Sequence, residues 1–252
     1  MKNIALLLAY NGKNYHGWQQ QENAATIQET LTLAAKKIFL NMSAVYGCGR
    51  TDAGVHAVNY VCNFKCDTKI PEDKIPYALN SLLPADIRVK KAIFTADDFH
   101  SRFDVLKKRY IYKIVNEPIG DVFSLGYAWH VKKELDLKKM QQACEPFLGT
   151  HDFAAFRASG SDTKTSVRTI YNLSVKKSGS IIETDVCANG FLYNMVRIIT
   201  GTLVYVGLGK IKAGDIKNII ESCDRRCAGI TAPAEGLYMY DVKYDERFKI
   251  NW

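Results

Sequence analysis

Cysteine pairs at C-x2-C spacing are missing from this chain of 252 residues. Its seven cysteines, Cys48, Cys62, Cys66, Cys144, Cys187, Cys223 and Cys227, are odd in number and widely scattered. That distribution excludes a disulfide framework and a thiolate zinc site. The two C-x3-C pairs have no histidine partners at finger spacing, so the thiols are expected reduced, mostly in the core, and in a reducing cytoplasm. The five histidines show no ligand spacing either, and no metal is assigned. Also absent are G-x-x-x-x-G-K-[ST], G-x-S-x-G and H-E-x-x-H, which removes the P-loop, the serine-hydrolase elbow and the zinc-protease helix. No apolar run makes a good membrane span, because the longest, Phe191 to Leu208, holds Asn194 and Arg197 at its heart. The run Ile4 to Ala9 is short for a signal peptide and leads into Tyr10-Asn11-Gly12-Lys13 without a cleavage site, so it reads as a buried first strand.

Acids are the scarcer charge. Lysine and arginine total 34 against 26 Asp and Glu, a net charge of +8 that draws a protein towards polyanions such as nucleic acid or acidic membrane. With 47% hydrophobic, 11% aromatic and 24% charged residues, the chain is an ordinary globular protein and neither disordered nor a low-complexity scaffold. Its length allows one large domain or two modest ones.

Thr26 and Glu29 form a T-x-x-E capping box, and Ile27, Leu31, Ala34, Ala35 and Ile38 follow at helical spacing. Gly47-Cys48-Gly49 interrupts the next strand, Val55 to Phe64 is extended, a short helix spans Glu72 to Leu82, and a strand carries Ile87, Val89 and Ile93. The second half opens on an alternating strand from Arg109 to Val115. A helix near Leu137 to Phe147 follows, then strands at Val167 to Val175 and Ile181 to Val186. Helices at Phe191 to Val206 and Ala213 to Cys223 precede a last strand at Leu237 to Tyr244. Each half approximates β-α-β-β-α-β. The expected architecture is α+β, with two ferredoxin-like halves, 1–104 and 105–252, and mixed, mostly antiparallel sheets.

The segment with chemical character is Gly47-Cys48-Gly49-Arg50-Thr51-Asp52-Ala53-Gly54-Val55-His56-Ala57. A dinucleotide fingerprint would need a glycine at Asp52 and a helix directly after it, whereas a strand follows and a carboxylate repels a pyrophosphate. What remains is an acid between small residues, with a cation two positions before it. Gly54 and Ala53 leave room for a planar substrate to approach Asp52. Taken alone, a T-D-A-G stretch is more often a turn stabilised by its aspartate, and Arg50 reads equally as a surface charge.

This segment resembles, residue for residue, the G-R-T-D-A-G-V-H signature of the tRNA pseudouridine synthase A family. Gly12, Tyr15, Gly17-Trp18-Gln19 and Gln21 resemble the family's N-terminal element, and Asn80, Leu83-Pro84, Asp86-Ile87, Asp98-Phe99-His100 and Arg102-Phe103 its central stretch. Arg109-Tyr110, Phe191 with Met195-Val196-Arg197, and Ala234-Glu235-Gly236-Leu237-Tyr238 complete a resemblance that spans essentially the whole chain. Asn11 departs from the usual Asp and Lys164 from a common Arg; both departures are expected to touch substrate contacts or turn geometry rather than the reaction.

The resemblance implies isomerisation of uridine in the anticodon stem-loop of tRNA, at positions 38, 39 and 40, by a cytoplasmic homodimer. The bond from ribose C1′ to N1 of uracil breaks and C5 joins C1′ instead, without redox change, so no cofactor is required. Asp52 matches the family's essential aspartate, and carboxylates serve as nucleophiles or stabilise oxocarbenium character. Tyr110 matches a tyrosine that lies against the target base, although a tyrosine in an alternating strand is ordinarily core. Arg50 matches a residue that holds the nucleotide out of its helix, extrusion being needed because the reacting atoms are unreachable in a stack. An arginine in the apolar run around Arg197 is costly to leave buried and unpaired, so it snorkels or finds a partner. The family pattern points to Asp52, in a cleft between the halves. Lys107-Lys108-Arg109, Lys132-Lys133, Lys138-Lys139, Lys176-Lys177 and Arg225-Arg226 suit phosphate contacts. The rival reading from another class is an RNA-folding chaperone that has lost catalysis; a basic scaffold without RNA function would leave the signature unexplained.

Overall fold

The computed structural model describes residues 1–160, 163–250 and 252, and the chain divides into two compact units, Met1–Lys107 with Tyr238–Trp252, and Lys108–Leu237. In the first unit the elements run β1 (Lys2–Tyr10), α1 (Ile27–Lys36), β2 (Tyr46–Gly47), β3 (His56–Cys66), α2 (Ile75–Asn80) and β4 (Ile87–Thr95). β1 lies between β4 and β3 and is antiparallel to both, while β2 pairs antiparallel with β3. The order β4-β1-β3-β2 is that of a ferredoxin-like half. Ile4, Ala5, Leu6, Leu7 and Leu8 are all buried, which explains a continuous apolar run in place of an alternating one: a central strand is covered on both faces. The Thr26 half of the capping box forms as expected. The Thr26 hydroxyl accepts from the Glu29 N–H at 3.4 Å, and Ile27, Leu31, Ala34 and Ala35 are the buried stripe of α1. The helix ends at Lys36, so Ile38 lies beyond it.

The second unit runs β5 (Val105–Val115), β6 (Trp129–His130), α3 (Leu137–Gln142), β7 (Gly149–Asp152), β8 (Val167–Ser178), β9 (Ile181–Ala188), α4 (Met195–Gly207) and α5 (Ile216–Ser222). Its sheet has the order β5-β9-β8-β7, antiparallel throughout, with β6 added parallel to β5. β9 alternates between half-buried and buried along its length, the pattern of a strand with one covered face. Three helices of this unit differ from expectation. α3 stops at Gln142 and a short 3-10 turn, Glu145–Phe147, follows, because Pro146 has no N–H to offer the Gln142 carbonyl. α4 starts at Met195 rather than Phe191, because Asn194 takes the left-handed conformation (φ 60°) and breaks the helical path before it. α5 is shorter than expected, preceded by the 3-10 turn Ala213–Asp215.

The chain then supplies the first unit with β10 (Leu237–Tyr244), which runs parallel to β3 through Tyr238 opposite His56 and Met239 opposite Ala57. Tyr244 packs edge-on against Phe99 at 5.1 Å and donates its hydroxyl to the Ser101 carbonyl at 2.8 Å. The segment from Tyr238 onward therefore groups with the first unit.

Among the described residues, no helix is long and apolar enough to cross a membrane. Cys48, Cys62, Cys66 and Cys144 are buried, Cys187 is intermediate, and Cys223 and Cys227 are exposed. Burial pushes the Cys66 thiol up to about 11 and Cys144 up to about 12. An aromatic disulfide reagent at pH 8 is therefore expected to modify Cys223 and Cys227 quickly and the four buried thiols only on unfolding. Intact-mass spectrometry over time reads this directly; prompt modification of a buried thiol would contradict it.

Candidate active site

In the first unit, residues 48–55 leave β2 and enter β3, and the segment 10–18 clamps them from one side. The Trp18 N–H donates to the Thr51 carbonyl and the Gly54 N–H to the Tyr15 carbonyl, both at 3.2 Å, while Val55 closes back on the Asp52 carbonyl. Gly17 has φ +83°, and a Cβ there would lie 2.2 Å from the Thr51 oxygen, so only glycine lets the clamp approach this closely. The Gly12 N–H donates to His56 Nδ1 at 3.1 Å, which makes that nitrogen an acceptor. Asn11, the departure noted above, accepts from the Lys13 N–H and caps the 3-10 turn Gly12–Asn14, a role in turn geometry.

Beneath the loop sits an aromatic floor. The Trp18 and Tyr60 rings stack at 4.2 Å, Tyr60 donates to the Gly49 carbonyl at 2.6 Å, and the Tyr10 hydroxyl lies 3.0 Å from the buried Thr51 Oγ1. Burial pushes the hydroxyls of Tyr10 and Tyr60 well above their ordinary range, so both stay protonated. Tyr15 braces the clamp by donating to the Asp86 carboxylate at 2.7 Å. The result is a fixed backbone on either side of Asp52, whose side chain is half-buried; Arg50 and Ala53 are exposed. Tyr10, Thr51 and Tyr60 escaped sequence reasoning, because their contacts join residues with no periodic relation. Tyr10→Phe is expected to cost about 1–2 kcal/mol, since it strands the Thr51 hydroxyl in the interior, and to lower turnover several-fold. Urea denaturation beside a turnover assay measures both, and an unchanged unfolding midpoint would contradict it.

In the second unit, Tyr110 lies on β5 opposite Val186 of β9 and is only 7% exposed. Phe191 meets its ring edge-on at 5.1 Å, a packing that fixes the plane of the tyrosine. The neighbouring Arg109 forms a two-pronged ion pair with Asp185, at 2.9 and 2.6 Å.

Arg197 sits in the first turn of α4 and is half-buried. Its Nε donates to the Ala232 carbonyl at 2.7 Å and its Nη1 to Asn194 Oδ1 at 2.8 Å, while its own carbonyl accepts from the Ala232 N–H. The segment 229–233 is held across this helix: the Gly229 N–H donates to Thr202 Oγ1 at 2.9 Å, and Arg225 bonds the Gly229 carbonyl and Thr231. Tyr112, its hydroxyl pushed up by burial, donates to the Pro233 carbonyl at 2.7 Å. The guanidinium is thus aimed in part by two oxygens, one from the helix cap and one from the crossing strap.

The basic pairs are not equivalent. Arg109, Lys139 and Arg226 pair with Asp185, Asp136 and Asp224, whereas Lys132, Lys133, Lys176 and Lys177 are exposed. Among the described residues, no three His, Cys, Asp or Glu side chains gather as a metal site.

A family model described as tRNA pseudouridine synthase matches residues 7–104 and 143–245. The chain is similar to "tRNA pseudouridine synthase A" of Thermoanaerobacter sp. (strain X514), 49% identical over 244 residues that cover 97% of this chain and 100% of the relative. It is also similar to the protein of that name from Acetivibrio thermocellus, 48% identical over 244 residues with the same coverage. A third relative, "tRNA pseudouridine synthase A 2" of Clostridium tetani, is 46% identical over 246 residues, covering 97% of this chain and 99% of that one.

Proposed function

Because the chain belongs to the tRNA pseudouridine synthase family, we propose that it converts uridine to pseudouridine in the anticodon stem-loop of tRNA, at positions 38, 39 and 40. The observation that carries this reading is the loop Gly49–His56. It keeps the complete family signature and is built on a clamp that fixes the backbone around a half-buried carboxylate. In the reaction the N1–C1′ bond breaks, the uracil turns over, C5 bonds to C1′, and the C5 hydrogen leaves as a proton to water while N1 ends protonated.

Asp52 is the catalytic group, as nucleophile or as the charge that stabilises the electron-poor sugar. Arg50 is exposed two residues before it and suits the phosphate backbone of an extruded nucleotide. Tyr110 and Arg197 bind the target nucleotide, the first through a ring whose plane Phe191 holds, the second through a guanidinium aimed by Asn194 and Ala232; Arg197 acts with Asp52 in the same step. The exposed lysines at 132–133 and 176–177 add a salt-dependent contribution to affinity. A homodimer in the cytoplasm is the setting of this proposal.

The test is tritium release from C5-labelled uridine in an anticodon stem-loop transcript, with EDTA present. Release by the native protein supports the reading. Binding without release would favour the folding chaperone, and a requirement for added metal would overturn the cofactor-free reaction.

A further inference from the structure

The segment that follows β4 carries side chains of two opposite kinds. Phe99 is buried, edge-on to Tyr244 and Phe248 at 5.1 Å each. Ser101 is fully buried with every polar group engaged: its N–H donates to Asn63 Oδ1 at 2.9 Å, its hydroxyl to the Tyr46 carbonyl at 2.7 Å, and its carbonyl accepts from Tyr244. Asn63 donates in turn to Asn3, and Asn3 to the carbonyls of Ala96 and Phe99. The outer turn is closed by the His100 N–H on the Asp104 carboxylate at 2.7 Å. A buried polar network this complete pins a loop in one conformation.

On the other side of that backbone, the His100 ring lies between those of Tyr46 and Phe103, with centroids 4.6 and 4.4 Å away, and the Arg102 guanidinium is 5.5 Å from the centre of Phe103. Phe103 is nevertheless 73% exposed and Tyr46 44%. A phenyl ring held in water adds little to folding stability, since most of its apolar area stays wet. Aromatic faces side by side with a guanidinium at the rim are the composition that stacks nucleobases and meets the adjoining phosphate. Burial lowers the pKa of His100, so at neutral pH its ring is uncharged and suited to stacking. Tyr46 also opens β2, the strand that runs directly into the loop of Arg50 and Asp52.

We propose that Tyr46, His100 and Phe103 form a stacking platform for an unpaired base of the RNA substrate next to the target uridine, with Arg102 taking the phosphate beside it. This rests on the RNA-modifying reading above. The platform is ready-made, so RNA gains the contact without ordering the loop.

The experiment compares native protein, Phe103→Ala and Phe103→Trp on anticodon stem-loop transcripts carrying 2-aminopurine beside the target. Phe103→Ala is expected to raise KM about tenfold, with the larger share of the loss in KM rather than kcat, and to abolish the quenching of 2-aminopurine on binding. Phe103→Trp is expected to restore both. Native activity together with unchanged KM and quenching in Phe103→Ala would overturn the platform and leave the enzyme reading intact. If the native protein releases no tritium, the enzyme reading fails instead, and the platform is then judged by affinity for the transcript: a tenfold loss in Phe103→Ala supports it, and equal affinity overturns it.

Discussion

Asp52→Asn is expected to lower kcat/KM by about 10⁴-fold or more, while affinity for the anticodon stem-loop stays within a few-fold and the unfolding midpoint barely moves. The substitution keeps the size and planarity of the side chain and removes only its charge and its ability to act as a nucleophile. Electrostatic or covalent stabilisation of the transition state is lost in full, whereas ground-state binding through arginines and lysines is retained. The loop survives because its shape depends on backbone bonds from Trp18 and Gly54 and on the Tyr10–Thr51 contact, none of which uses the Asp52 side chain. A purely structural aspartate would behave in the opposite way, losing stability first and turnover in proportion. Tritium release, filter binding and urea denaturation on the same preparation separate the two, and retention of a hundredth of native turnover would sink the catalytic assignment.

Gly201→Ala is expected to destabilise the protein by about 2–4 kcal/mol, against the direction that helix propensity predicts. Within a helix, alanine is favoured over glycine by about 1 kcal/mol. Here the new Cβ would lie 1.9 Å from the Ile230 carbonyl oxygen, a backbone atom that cannot turn aside. Forcing the strap 229–233 off α4 brings an overpacking penalty of about 1–3 kcal/mol. It also weakens the Gly229–Thr202 and Arg197–Ala232 hydrogen bonds, each worth about 1 kcal/mol. Because the Ala232 carbonyl aims Arg197, activity should fall at least about tenfold even where the protein remains folded, as reacting groups tolerate little displacement. Urea midpoints and kcat/KM at a temperature well below unfolding measure the two effects. A variant as stable and active as the native chain would show that the strap has room to move.

Much of the fold is legible locally. The capping box at Thr26 and Glu29 sets the start of α1, since the bonds that satisfy a helix end come from residues three apart. The apolar run at Ile4 marks β1 just as locally, through neighbours along the strand. The boundaries of α3 and α4 are legible only in part: Pro146 announces its break, but nothing local requires Asn194 to turn left-handed. Of the candidate site, Asp52 and Arg50 stand out through their motif and Tyr110 and Arg197 through the wider resemblance. The residues that hold them do not. Tyr10 meets Thr51 across 41 positions and Arg197 meets Ala232 across 35, separations at which no spacing rule operates.

The amino-acid order alone determined the α+β class, the main strands and helices, and the loop that carries the carboxylate, because propensity, capping and side-chain periodicity act over a few residues. Only the tertiary structure decided that β10 joins β3, that Ile230 crowds Gly201, and that Phe103 faces water while Ser101 is enclosed. Those outcomes depend on which distant segments share one space, and packing and hydrogen-bond satisfaction settle that for the chain as a whole.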